Sequence, residues 1–378
     1  TKPYTEKAEK EGAKIKYIFE THFHADFVSG HVSLAEKTGA KIIFGPTAQT
    51  GYEATTAVDN QEFKLGDVII KVLHTPGHTQ ESSSYLLIDE KGKETALFSG
   101  DTLFIGDVGR PDLAVKSDLS QDDLASMLFD SLRDKIMTLP DDVIVYPAHG
   151  AGSACGKNMS KETFDTLAHQ KEVNYALRAD MTREEFIKEV TDGLTTPPKY
   201  FPQNVKMNKE GYEAFDVVLK RGTLALDPEQ FEEVVNANGA LMLDARAPQT
   251  FKNGFIPNSI SIGIDGNFAP WVGALIPDLK QAIVVITDEG REEEVITRLA
   301  RVGYDNTLGF LQGGMTAWQS SGKEIDSIES ISAQELNNRM ASTINILDAR
   351  KDTEYLSEHI DDERCLLYTS DAADDSLR

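Results

Sequence analysis

Within the first 150 residues, four apolar runs of strand character each end in a short polar loop that carries histidine or aspartate. Residues 15–19 lead into a loop with His22, His24 and Asp26, and residues 68–72 lead into Thr75-Pro76-Gly77-His78-Thr79. Residues 95–98 deliver Ser99-Gly100-Asp101, and residues 143–146 deliver Pro147-Ala148-His149-Gly150. Imidazoles and carboxylates at the ends of rigid strands suit a metal centre, whose geometry must be held while coordination positions stay open. A single loop histidine is more often structural than a ligand. Here five of the eight histidines lie in or beside such loops, which reverses that expectation.

A chain of 378 residues suggests two or three domains at roughly 100–200 residues each. No apolar run approaches the roughly 18 residues that a membrane helix needs, so the sequence excludes a membrane protein of that kind. With 62 acidic against 38 basic residues, the net charge of -24 repels a phosphate backbone, and nucleic acid is a poor partner. Two cysteines, Cys155 and Cys365, are too few for a disulfide framework and point to a reducing, cytoplasmic setting. The opening at Thr1 reads as a start inside a domain, with a truncated N-terminus.

Ser120 to Asp123 reads as a helix entry ahead of the apolar stripe Leu124, Met127, Leu128 and Ile136. Thr182 and Glu185 stand at capping-box spacing. Pro197, Pro198 and the polar stretch to Gly211 break the pattern, which closes a first domain at 1–210. Asp227-Pro228 starts a new helix, and residues 222–325 then alternate strands and helices, with strands expected at 241–244, 255–262, 283–287 and 307–311. Such alternation implies a parallel sheet. Ile346-Leu347-Asp348-Ala349-Arg350 echoes Met242-Leu243-Asp244-Ala245-Arg246, so residues 328–364 read as the truncated start of a second copy. Residues 365–378 resemble a translated sequencing adapter and read as a non-native tail outside the fold.

The segments 21–26, 75–79 and 99–101 resemble the T-H-x-H-x-D-H, T-P-G-H-T and S-G-D signatures of the metallo-β-lactamase superfamily. That resemblance implies an αββα sandwich over residues 1 to about 200. Phe27 stands where the family has a further histidine that binds a second ion with Asp26, His149 and a bridging Asp101. Two histidines and one carboxylate around a single ion form the facial triad of non-haem iron oxygenases. Resemblance to persulfide dioxygenases assigns His22, His78 and Asp101 to one Fe(II) per chain, with zinc as the alternative. Spacing alone allows His24 to be a ligand as well. The resemblance places His24, Asp26 and His149 in catalytic roles around the ligands, orienting them and any bound water. Residues 104–112 resemble the G-R-x-D stretch of persulfide dioxygenases, in which Arg110 binds an anionic substrate group; an ion pair with Asp107 or Asp112 is the plainer reading. Cys155 is either a small buried hydrophobe or a substrate-binding thiol beside the reacting sulfur.

Residues 222–325 resemble a rhodanese domain through 243–246, 254–257 and 311–318. Such a sulfurtransferase needs a thiolate in the loop after the strand at 283–286. Thr287, Asp288 and Gly290 stand there with no cysteine, so the module is expected to be catalytically silent. The fold class is therefore α/β: a metallo-β-lactamase sandwich, a rhodanese-like parallel domain and a truncated second copy. The implied activity is iron-dependent oxidation of a small thiol persulfide by O2 to thiol and sulfite, with a homo-oligomer compatible with it. The alternative is a zinc-dependent thioesterase of the glyoxalase II type. A scaffold with a vestigial metal site is a third reading, disfavoured by the intact metal residues.

Overall fold

The computed structural model describes residues 1–114, 119–340, 344–350, 352–361 and 365–367. Contacts divide the chain into one unit of residues 1–251 with 255–326 and a second of residues 252–254 with 327–378. The first unit holds two sheets face to face, then a separate parallel sheet.

The smaller sheet of the sandwich is parallel, with β1 (Tyr17–Phe19), β2 (Lys41–Phe44) and β3 (Thr55–Thr56) in that order. The larger runs β4 (Glu62–Leu65), β5 (Val68–His74), β6 (Ser83–Ile88), β7 (Glu94–Gly100), β8 (Ile144–Pro147) and β9 (Asp165–Thr166). Period-two alternation gives each strand two faces. Ile43, Ala57, Phe63, Val72 and Tyr85 fill the space between the sheets. Leu73, Leu86, Leu97 and Val145 point outward into a core capped by the helices Gln121–Asp130 and Arg183–Thr191. Phe23, Ile42 and Phe44 pack on the outer face of the smaller sheet with the helix His31–Thr38. The layers are thus helix, sheet, sheet, helix.

Local sequence signals set the ends of these helices. Ser120 with Asp123, Thr182 with Glu185 and Asp227 with Gln230 form reciprocal capping boxes, each satisfying otherwise orphaned backbone donors. In the first of these helices Leu124 and Leu128 recur every four residues, and the row continues through Leu132 and Ile136 in a last turn where Met137 N donates to Leu132 O, five residues back. This element seats against the His78 loop. Ser131 Oγ donates to Pro76 O at 2.7 Å, and a Cβ on Gly77 would lie 2.4 Å from the Leu128 Cβ, so only glycine fits there.

The third sheet of this unit is parallel, in the order β10 (Ala225–Leu226), β14 (Thr307–Leu311), β13 (Ile283–Ile286), β11 (Leu241–Asp244) and β12 (Ile260–Ser261). Ile283, Val284, Val285 and Ile286 are all buried, as a central strand covered on both faces requires. The strand expected at 255–262 shrinks to Ile260–Ser261, because Asn258 takes a left-handed φ of 68° and Phe255 pairs only with Asp326.

The stretch up to Gly211, read from sequence as a break, instead contains the helix Phe201–Glu210, and Phe215–Gly222 follows as a second. Phe201, Asn204 and Asn208 form its buried stripe, and asparagine at buried positions hides helical periodicity from an apolar count.

In the second unit β15 (Ile346–Asp348) pairs in parallel with β16 (Cys365–Leu367), so the set-aside tail contributes a strand; residues 368–378 lie outside the described residues. Arg350 grips Asp348 at 2.6–3.2 Å through Nε and a terminal nitrogen, as Arg246 grips Asp244 at 2.6–3.1 Å. The two matched segments therefore fold alike locally. Among the described residues, no helix is long and apolar enough to cross a membrane.

Candidate metal centre

The strand-end loops converge. Ligand atoms of His22, His78 and Asp101 lie within 4.8 Å of one another, as do those of His24, Asp26 and His149 and those of Asp101, His149 and Cys155. Asp101 joins the sets: its carboxylate is 3.8 Å from His22 Nε2, 3.4 Å from His78 Nε2 and 2.9 Å from His149 Nδ1. His149 Nε2 in turn lies 2.9 Å from Asp26.

Outer contacts decide which imidazole nitrogen faces inward. Thr21 Oγ1 engages His22 Nδ1 at 3.0 Å, and His78 Nδ1 donates to Arg110 O at 2.9 Å, which leaves both Nε2 lone pairs free. His24 Nε2 faces the buried Glu20 carboxyl at 3.7 Å, leaving Nδ1 as the inward atom, and Phe27 stacks on its ring at 4.4 Å. Gly109 closes the wall: a Cβ there would sit 2.0 Å from Asp101 O and 3.0 Å from His78 Nδ1.

Burial holds the imidazole of His22 well below its ordinary pKa, helped by the neighbouring His24, and burial brings His24 to about 4. Burial alone would raise Asp101, but His22, His149 and His78 overcome it and keep the carboxyl ionised far below the usual carboxylate range. His149 moves up to about 10, since Asp101 and Asp26 outweigh its burial. Buried polar groups normally find partners, yet His22 Nε2, His24 Nδ1, Asp26 Oδ1, Asp101 Oδ1 and His149 Nε2 have none with hydrogen-bond geometry. The neutral imidazoles of His22 and His24, with unsatisfied nitrogens beside the ionised Asp101 carboxylate, fit a divalent cation.

Arg110 does not reach into this space. It is buried, with Nε and one terminal nitrogen each 2.6 Å from Asp112 and further bonds to the carbonyls of Thr195 and Ala154. Of the two readings of its fork, substrate clamp or ion pair, this geometry favours the ion pair with Asp112, to which Nε and one terminal nitrogen are committed. Its backbone still matters, through the carbonyl that orients His78. Cys155 is a free thiol, buried beside Asp101 and His149, and burial followed by the charges of Asp101 and Asp26 pushes its pKa well above the ordinary value.

Asn208 escaped the sequence reading. It is fully buried, and its amide bonds three backbone groups of the loop that carries His24 and Asp26. Glu20 was also missed; burial raises its carboxyl to about 8, against a hydrogen bond from Ser29. No local signal marks either residue.

In the parallel-sheet module, Thr287 is buried while Asp288 and Gly290 are exposed at the end of β13. No cysteine occurs between residues 222 and 325. The full chain is expected to show no thiosulfate:cyanide sulfur transfer, and cyanide-dependent thiocyanate release above a blank would sink that expectation.

The family model described as the metallo-beta-lactamase superfamily matches residues 3–149, and that of the rhodanese-like domain matches residues 227–321. A crystal structure of a metallo-beta-lactamase from Staphylococcus aureus is 30 % identical, with a TM-score of 0.70, over 82 % of this chain and 88 % of that one. Hydroxyacylglutathione hydrolases of Rhizobium etli and Brucella anthropi are 38 % and 39 % identical over 39 % and 37 % of this chain. The alignments span 53 % and 49 % of those two relatives' own lengths. A metallo-beta-lactamase fold followed by a rhodanese-like parallel-sheet domain is what sandwich and sheet together form. The expected persulfide dioxygenase activity is corrected by these curated relatives, which are hydrolases, so neither an oxidoreductase nor a need for iron follows from the site.

Proposed function

Since the chain belongs to the metallo-beta-lactamase superfamily, we propose that it hydrolyses the thioester of a small acylated thiol, with a hydroxyacylglutathione as the substrate class. The observation that carries this reading is the convergence of His22, His78 and Asp101 beside His24, Asp26 and His149, with His22 Nε2 and Asp101 Oδ1 buried and without a hydrogen-bond partner. His22 and His78 through Nε2 and Asp101 through its carboxylate would hold one divalent ion. Zinc suffices, because hydrolysis changes no oxidation state. When bound, such an ion polarises a carbonyl and lowers the pKa of water. Asp26, with a buried Oδ1 lacking a partner, receives the proton released by the attacking water. His149, bonded to Asp101 at Nδ1, orients that carboxylate and holds a proton near the leaving sulfur. Cys155, kept un-ionised by burial, forms part of the wall on this side.

The test is a stoichiometric zinc determination on the full chain combined with thiol release from a hydroxyacylglutathione. Roughly one zinc per chain, cleavage abolished by a chelator and recovery on adding zinc are expected. A zinc-loaded, folded chain that releases no thiol would remove the reading, as would oxygen consumption with a thiol persulfide in place of hydrolysis.

A further inference from the structure

The module without a nucleophile shares its core with the metal loop. Ala25, between His24 and Asp26, belongs to the same buried apolar cluster as Tyr200, Phe201, Leu243, Val272 and Tyr304. While His24 and Asp26 face His149, the methyl group between them joins the core of the rhodanese-like sheet.

Hydrogen bonds make the same connection. Asn208 Nδ2 donates to His24 O at 2.8 Å and Phe27 O at 2.7 Å, and its Oδ1 accepts from Ser29 N at 2.8 Å. Asn208 lies on the helix Phe201–Glu210, whose Phe201 is buried in that core and whose Val205 packs against it. Val28 N donates at 2.6 Å to the carbonyl of Arg301, the last residue of the rhodanese-like helix Glu292–Arg301. Beyond the end of β1, then, the loop is held by the helix Phe201–Glu210 and by the end of the rhodanese-like helix Glu292–Arg301.

We propose that the helix Phe201–Glu210, seated in the core of the rhodanese-like module, braces the metal-binding loop, with Asn208 as the positioning residue. Ordering a loop residue costs backbone conformational entropy. A loop that is already ordered spares the incoming ion that cost, so affinity rises with the brace. The proposal rests on the metal-centre reading above.

Cobalt(II) titration of the full chain, read by its visible absorption and by competition with a chromophoric chelator, tests it. Asn208→Asp keeps the acceptor for Ser29 N but sets oxygen against two carbonyls; Asn208→Ala removes all three bonds without that repulsion. Both are expected to bind cobalt about 10- to 100-fold more weakly, the usual cost of losing an orienting partner, with a shifted absorption band. Asp227→Ala removes a helix cap remote from the loop, so it should lower the melting temperature by a few degrees with cobalt affinity unchanged.

Should Asn208→Asp fail to fold, Asn208→Ala decides. Wild-type affinity and spectrum in a folded Asn208 variant overturn the brace alone. So does an Asp227→Ala variant whose affinity falls in step with its stability. A wild-type chain that takes up no cobalt defeats the metal centre itself, and the brace with it.

Discussion

Replacing Asp101 with alanine is expected to lower thioester kcat/KM by on the order of 10³-fold, about 4 kcal/mol of transition-state stabilisation, and to strip the site of zinc. The carboxylate lies within 3.8 Å of three imidazole nitrogens, and its charge offsets the cost of burying a cation there. Without it His149 also loses its partner at Nδ1, so both halves of the centre fail together. Asp101→Asn keeps the shape but not the charge, and should fall between the two. Zinc content and thiol release measured on the same preparation check this. A folded alanine variant with full zinc and activity within a few fold of wild type would remove Asp101 from the centre.

Replacing Arg110 with methionine should chiefly cost stability. Its side chain is 3 % exposed and that of Asp112 17 %, so the change leaves a largely buried carboxylate and two carbonyls without their donor. Breaking such a pair costs about 3–5 kcal/mol; the partial exposure of Asp112 favours the lower end. A loss of about 3 kcal/mol corresponds to a fall in melting temperature of roughly 6–12 °C for a domain of this size. Calorimetry of the zinc-loaded chain gives the shift, and steady-state kinetics at low temperature should find KM little changed. An unaltered melting temperature with a raised KM would return Arg110 to the substrate.

What the sequence determined by itself is what short-range chemistry determines. A capping box closes over three residues, so Ser120, Thr182 and Asp227 announce their helices without help from the rest of the chain. The Asp244–Arg246 and Asp348–Arg350 grips span two residues and mark the repeated segment. The metal loops were legible for a related reason: the donor atoms sit at strand ends, and strands of alternating apolar residues are readable. Donor identity says that a cation is held but not what it does. Two histidines and a carboxylate with open positions serve oxidation and hydrolysis alike, so the expected oxygenase gave way to a hydrolase reading only when relatives were compared.

Tertiary structure alone decided the rest, because the partners are far apart in the chain. Asn208 reaches His24 across 184 residues, and Arg110 bonds the carbonyl of Thr195 across 85. Neither bond leaves a trace in local periodicity, and the buried asparagines disguised the helix that carries the first of them. Phe27 was read as a missing ligand; the fold gives its ring a position against His24. An arginine fork beside an active loop has the same appearance in sequence whether it faces substrate or a neighbouring aspartate. Only the path of the backbone, which carries Ala154 and Thr195 to Arg110, settles which donors remain.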